Sequence, residues 1–242
     1  MTSAHESERS GLAISFIIPA WRDSENLASL LPRLAALPGR IEIIVIEVSP
    51  GGGELARPFG SGTARFVTVS NPNRGEQMNR GAAVATGDVL VFQHADTEFT
   101  AEHFRAVESA MRDQTVVGGA FHRKFDERHP GLMWLEKIAR WRARRGATLY
   151  GDQSIFVRRE VFQELGGFAP IPLMEDVEFS PRLHRAGRVV LLDPPLRSSA
   201  RHHERKGAWR RTIQNGALLL LYKAGVPPGR LHRWYYGAVE TA

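Results

Sequence analysis

Short continuous apolar runs alternate along this chain with apolar stripes at helical spacing, and that alternation predicts its elements. AISFIIP, from Ala13 to Pro19, and IEIIVIEV, from Ile41 to Val48, are unbroken runs of strand length. Such runs mark strands covered on both faces of a parallel sheet. Between them Leu27, Leu30, Leu31 and Leu34 recur at helical spacing. Ser24 and Glu25 open this helix, and Pro38-Gly39 stops it. Pro50 to Gly53 reads as a flexible turn and Arg65 to Val69 as a third, shorter strand. The stretch NRGEQMNRGAAVATGDVLVFQHADT, from Asn73 to Thr97, predicts a loop, a short helix, a tight Gly87-Asp88 turn and the buried strand Val89 to Phe92.

Ala101 to Arg112 reads as a surface helix and Val116 to His122 as a returning strand. The Gly118-Gly119 pair in that strand suggests a bulge or a close backbone approach by a ligand. Gly131 to Arg145 has the pattern of a basic amphipathic helix, with Leu132, Leu135 and Ile138 on one face. Gly151-Asp152-Gln153 leads into Ser154 to Val157 and a helix from Glu160 to Leu165, closed by Gly166-Gly167. A further helix begins within Pro170 to Glu178 and ends near Ala186-Gly187, before the strand Val189 to Leu192. Trp209 to Tyr222 is helical, and a Gly225 to Pro228 break precedes an aromatic end at Trp234, Tyr235 and Tyr236. The order of elements predicts an α/β domain over residues 13–205, doubly wound around a mostly parallel sheet. A disordered polar tail (1–12) precedes it and a helical C-terminal segment (206–242) follows.

Composition narrows the class. The 242 residues are 43% hydrophobic and 24% charged, ordinary for a globular protein. No run approaches the ~20 apolar residues of a membrane span, and the polar start is not a secretory signal, so a cytoplasmic protein is expected. The absence of cysteine excludes disulfides and thiolate metal sites. Net charge is +6, with arginine gathered in Arg140 to Arg145 and Arg197 to Arg211. Nucleic acid, an anionic membrane surface or phosphate-bearing substrates would each answer that charge. No RNA-recognition strand motif or zinc-finger spacing is present, so nucleic acid is not expected. The basic helices leave peripheral contact with the inner face of a membrane open.

Four features fall near the carboxyl edge of the expected sheet, where ligand sites of open α/β sheets lie. They are Pro19-Ala20-Trp21, Glu47, Arg74 with its helix start, and His94 with Asp96. Backbone after the first strand can meet a base, on which Trp21 can stack, and an acid at Glu47 can accept from base or ribose. Arg74 beside a helix amino end suits a phosphate. Two residues apart on an extended segment, His94 and Asp96 share a face. A divalent cation at Asp96 can bridge a diphosphate. The alternatives are that Asp96 caps the helix near Ala101 with His94 as packing, and that Glu175 and Asp176 are first-turn helix acids.

The segments ISFIIPAWRDSENLASLL, IEIIVIE, NRGEQMNRGAAVATGDVLVFQHADT, GDQSIFVRREVFQELGGF and PLMEDVEFSPRL together resemble the family 2 glycosyltransferases, enzymes of the GT-A fold. Within that family the chain is most similar to a bacterial subgroup associated with arsenosugar-type gene neighbourhoods, in which RG-x-QMN-x-GA, HADT and GDQ-x-IFVRR recur. The resemblance implies transfer of a sugar from a nucleoside-diphosphate sugar to a hydroxyl acceptor, small or lipid-linked, with inversion. It implies that Pro19, Ala20 and Glu47 hold base and ribose and that Asn79 faces the nucleotide. Asp96 is the last acid of a DxD-type motif for Mg²⁺ or Mn²⁺. Asp176 is the general base, with Glu175 beside it, and Gly151, Asp152 and Gln153 line the acceptor side. The chain departs from the family pattern in three places. Glu47 stands where aspartate is usual, His94 replaces the first acid of DxD, and Arg201-His202-His203 replaces Arg-Arg-Trp. An imidazole ligand favours Mn²⁺ over Mg²⁺. Glu47 and His94 also suit a different protein, an inactive glycosyltransferase-like module that binds nucleotides or serves as a scaffold.

Overall fold

The computed structural model describes residues 11–49, 64–123, 148–196 and 205–237. Residues 1–10 of the predicted tail (1–12), the Pro50 to Gly53 turn, the Gly131 to Arg145 helix and Arg201-His202-His203 lie outside them. The strands are β1 (Ala13–Ala20), β2 (Arg40–Val48), β3 (Arg65–Val69), β4 (Val89–Phe92), β5 (Val116–Arg123), β6 (Phe156–Arg158) and β7 (Arg188–Leu196). The helices are α1 (Ser24–Ala35), α2 (Arg74–Val84), α3 (Ala101–Met111), α4 (Arg159–Glu164), α5 (Glu175–Ala186), α6 (Arg205–Lys223) and α7 (Pro228–Tyr236).

One sheet runs in the order β3-β2-β1-β4-β6-β5-β7. Strands β3, β2, β1 and β4 pair parallel, so their carboxyl ends share one edge. Only β6 is reversed, antiparallel to both β4 and β5. Alternating side chains explain why the strands read as unbroken apolar runs. Phe16 and Ile18 of β1 face a layer with Leu27, Leu31, Leu34, Phe104 and Val107 of α1 and α3. Ile17, with Leu90 and Phe92 of β4, faces the opposite layer, with Met78, Phe162 and Phe179 of α2, α4 and α5. Each large aliphatic side chain buried this way contributes roughly 1.5–3 kcal/mol.

Pro19 does not end β1, which continues to Ala20. The strand β4 stops opposite Ile17, so beyond that point β1 is laddered only to β2, and a proline is tolerated there. Gly118 and Gly119 serve the sheet itself. A Cβ on Gly118 would lie 2.5 Å from the Phe156 carbonyl oxygen, and one on Gly119 would lie 2.2 Å from that of Val190. The expected close approach is therefore made by β6 and β7, and the expected bulge is present as a register shift between Val116 and Gly118.

Candidate active site

At the carboxyl edge Ala20 lies opposite Glu47, and Glu47 opposite Thr68. Gln77 of α2 ties the two central strand ends together. Its buried amide nitrogen donates to the carbonyls of Ile46 (2.9 Å) and Ala20 (3.3 Å). Sequence reasoning passed over Gln77, although a polar residue at a buried helical position beside Met78 was the available signal. The Trp21 N–H donates to Asp23 (3.1 Å), the residue before α1. The Arg22 guanidinium lies 5.3 Å from the Trp21 ring centre. Arg22, Ser154 and Met174 are the non-glycine residues at positive φ among those described, at 58°, 48° and 70°. Each adjoins one of the segments singled out from the sequence, which is where strained backbone tends to be held.

His94 and Asp96 come together by a turn and not by strand alternation. The ladder of β4 ends at Phe92, and the Thr97 N–H closes back on the His94 carbonyl (3.3 Å). His94 Nδ1 then lies 3.9 Å from Asp96 Oδ1. Gln93, fully buried, clamps this turn from inside. Its Nε2 donates to the carbonyls of His94 (3.0 Å) and Thr97 (2.8 Å), while its Oε1 accepts from the Ser154 hydroxyl (2.7 Å). Asp96 does not cap α3. That place belongs to Thr100, whose N–H donates to Nδ1 of His103 (3.0 Å). Half-exposed, Asp96 is open to solvent and to a ligand, with a side chain 50% accessible. Among the described residues no three His, Asp or Glu side chains gather as a closed metal cage. One open carboxylate with an imidazole beside it fits a hard divalent cation that takes its other ligands from phosphate and water.

Two acids open α5. Glu175 is buried and Asp176 half-buried. Asp176 accepts from the Gly151 N–H at 2.6 Å and from the Val177 N–H at 2.7 Å, which fixes the carboxylate plane. Arg74, the first residue of α2, brings its Nε to 3.8 Å from Glu175 Oε1. Burial, and then the charge of Asp176, push the Glu175 carboxyl above the usual carboxylate range against the opposing pull of Arg74. Burial also raises Asp176, opposed by the Gly151 N–H, Arg74 and the Val177 N–H. The negative charge of Asp152 adds to the rise.

Gly151 is where these groups meet. A Cβ built on it would lie 3.4 Å from Asp176 Oδ2, 3.4 Å from His94 Nε2 and 3.5 Å from Arg74 Nη2. The fold thus brings Arg74, His94, Gly151, Glu175 and Asp176 into one place, with Asp96 on the adjoining turn. Gln153 holds its own turn by accepting from the Tyr150 N–H (2.8 Å). Asn79 is engaged with Phe168. Its Nδ2 donates to the Phe168 carbonyl (2.8 Å) and its Oδ1 accepts from the Phe168 N–H (2.9 Å), so both ends of the amide bind α2 to the segment before α5.

The family model for glycosyl transferase family 2 matches residues 15–166. A probable glycosyltransferase, YdaM of Bacillus subtilis, is 25% identical over 205 residues, which cover 75% of this chain and 49% of that protein. The chain thus spans about half the length of this curated relative. The mannosyltransferase PcManGT from Pyrobaculum calidifontis, solved with GDP-Man and Mn²⁺, superposes with a TM-score of 0.67 at 16% identity, over 93% of this chain and 70% of that one. TarS 1-349 of S. aureus, solved with UDP-GlcNAc, superposes with a TM-score of 0.60 at 15% identity, over 81% and 61%. These two likenesses show the shared GT-A-type α/β fold.

Proposed function

Because the chain belongs to glycosyl transferase family 2, we propose that it transfers a sugar, with inversion, from a nucleoside diphosphate to an acceptor hydroxyl in the cytoplasm. The observation carrying this reading is the meeting of Asp176, His94 and Arg74 around Gly151 beside the carboxyl edge of the sheet. Pro19, Ala20 and Glu47 hold the base and ribose, with Trp21 as a stacking face. Arg74 and His94 face the diphosphate. Asp96 would hold Mn²⁺ or Mg²⁺ there, and a cation so bound would supply charge neutralisation for the diphosphate. Asn79 contributes indirectly, by keeping α2 in place.

On the acceptor side, Gly151, Asp152 and Gln153 form one wall. Asp176 takes the acceptor proton as the new oxygen–carbon bond forms and the bond from the anomeric carbon to phosphate oxygen breaks. The diphosphate leaves with that electron pair. Burial moves the base toward neutral pH, where proton transfer is most effective, and the Gly151 and Val177 N–H groups hold it in orientation. Each carboxylate oxygen keeps a further lone pair for the proton. The RG-x-QMN-x-GA, HADT and GDQ-x-IFVRR segments support placing the enzyme in the arsenosugar-associated subgroup.

Thermal shift with UDP-, GDP- and dTDP-sugars, with and without Mn²⁺, tests the donor site. One nucleotide stabilises in a metal-dependent way; no shift with any of them sinks the assignment. Asp176→Asn loses turnover and keeps nucleotide binding. Full activity in that variant removes Asp176 from the mechanism. Nucleotide binding without turnover in the unmodified protein fits the binding-module reading instead.

A further inference from the structure

The charge of this chain is unevenly placed. The 33 residues from Arg205 to Gly237 contain seven Lys or Arg and no Asp or Glu, whereas the other 209 contain 25 cations and 26 acids. The net positive charge therefore belongs to the α6–α7 hairpin. The same hairpin holds three of the four large apolar side chains that stand exposed among the described residues. Leu220 is 70% accessible, Trp234 55% and Tyr236 46%. On α6 and just after it the exposed positions are Gln214, Asn215, Gly216, Ala217, Leu220, Lys223 and Ala224, which set Leu220 one turn before a cation. On α7 the exposed Arg230, Arg233 and Trp234 repeat the combination.

We propose that this hairpin docks the protein on an anionic bilayer, with Leu220, Trp234 and Tyr236 in the interface and Lys223, Arg230 and Arg233 against the headgroups. Nucleic acid would answer the cations but not an exposed leucine. An amphipathic helix lying at a lipid surface uses both, with aromatic rings at headgroup depth. No helix among the described residues is long and apolar enough to cross a membrane, so the contact is peripheral.

The docking does not rest on the transferase reading.

Co-sedimentation of the full chain, without nucleotide, with phosphatidylcholine vesicles with and without phosphatidylglycerol is the test. Binding appears only with the anionic lipid and weakens with salt. Lys223→Glu, Arg230→Glu and Arg233→Glu each lower the partition coefficient about fivefold or more. Leu220→Ser with Trp234→Ser lowers it too, with the thermal midpoint unchanged because both side chains are exposed. Absence of binding to anionic vesicles overturns the proposal. So does binding that Leu220→Ser and Trp234→Ser leave untouched, or a concentration-dependent dimer that those changes abolish. Docking with no sugar transfer refutes the enzymatic reading alone. Transfer to a soluble acceptor with no docking refutes this inference alone.

Discussion

Replacing Arg74 with Gln should move the acidic limb of the pH–rate profile upward. The Glu175–Asp176 pair titrates as a unit, and Arg74 is the cation that pulls both carboxyls down. Its Nε lies 3.8 Å from Glu175 Oε1. At that separation a unit charge pair is worth about 1 kcal/mol at the dielectric of water and about 4 kcal/mol at an effective dielectric of 20. The Arg74 side chain is 37% accessible, so solvent screening pulls the value toward the lower end. A loss of about 1–2 kcal/mol corresponds to roughly one pH unit. The sign follows from the role of a base. Asp176 must be ionised to accept a proton, so raising the pair's pKa removes activity at low pH and restores it as pH rises. The assay is transfer or donor hydrolysis at saturating donor across pH, for the unmodified enzyme, Arg74→Gln and Arg74→Lys. Lys keeps the limb in place and Gln shifts it. Height falls as well where Arg74 meets the diphosphate, so limb position is the diagnostic. An unmoved limb in Arg74→Gln, alongside inactivity of Asp176→Asn, would refute the coupling.

Three further changes probe the rest of the arrangement. Gly151→Ala fits at ordinary contact distance and keeps activity, while the added methyls of Gly151→Val enter the space between Asp176, His94 and Arg74. Turnover of the valine variant falls by up to about 10²-fold with an unchanged melting midpoint, and full activity means that substrate does not enter there. Asn79→Ala loses both bonds to Phe168 and about 1–3 kcal/mol of stability by denaturant titration. A raised donor KM at unchanged stability would instead support the nucleotide contact expected for Asn79. At the opposite edge of the sheet, burial tends to raise Glu42, but hydrogen bonds from Ser15, Thr86 and Gly87 outweigh it and hold the carboxyl below its ordinary value. A depressed folded pKa contributes stability above the unfolded value that disappears as pH falls through the folded one. Glu42→Gln should flatten that acid-side loss in melting curves, and an unchanged curve would show that the network does not contribute.

Much of the architecture was legible because local pattern and fold agree. The runs at Ala13 to Pro19, Ile41 to Val48 and Val89 to Phe92 are covered on both faces, and a residue that alternates between two apolar layers has no polar phase to show. Side-chain pairing within the site was less legible. His94 and Asp96 meet through a turn clamped by Gln93, and nothing in their spacing distinguishes that turn from a continuing strand. Asn79 and Gln77 sit two residues apart on one helix with similar chemistry. Which one supports strand ends and which one grips Phe168 depends on where α2 lies against the sheet.

The order of strands and helices and the basic C-terminal segment were determined by the chain itself, since each rests on composition or on spacing within one element. The family and the acids at 96 and 175–176 were legible through motif segments spread along the chain that resemble that family. The tertiary structure alone decided the direction of β6, the use of Gly118-Gly119 for close strand packing, and the meeting of Arg74, His94 and Asp176 around Gly151. Those residues are separated by up to about a hundred positions. Only the sheet order, which sets β4 beside β6 and brings the amino ends of α2 and α5 together, can make them neighbours.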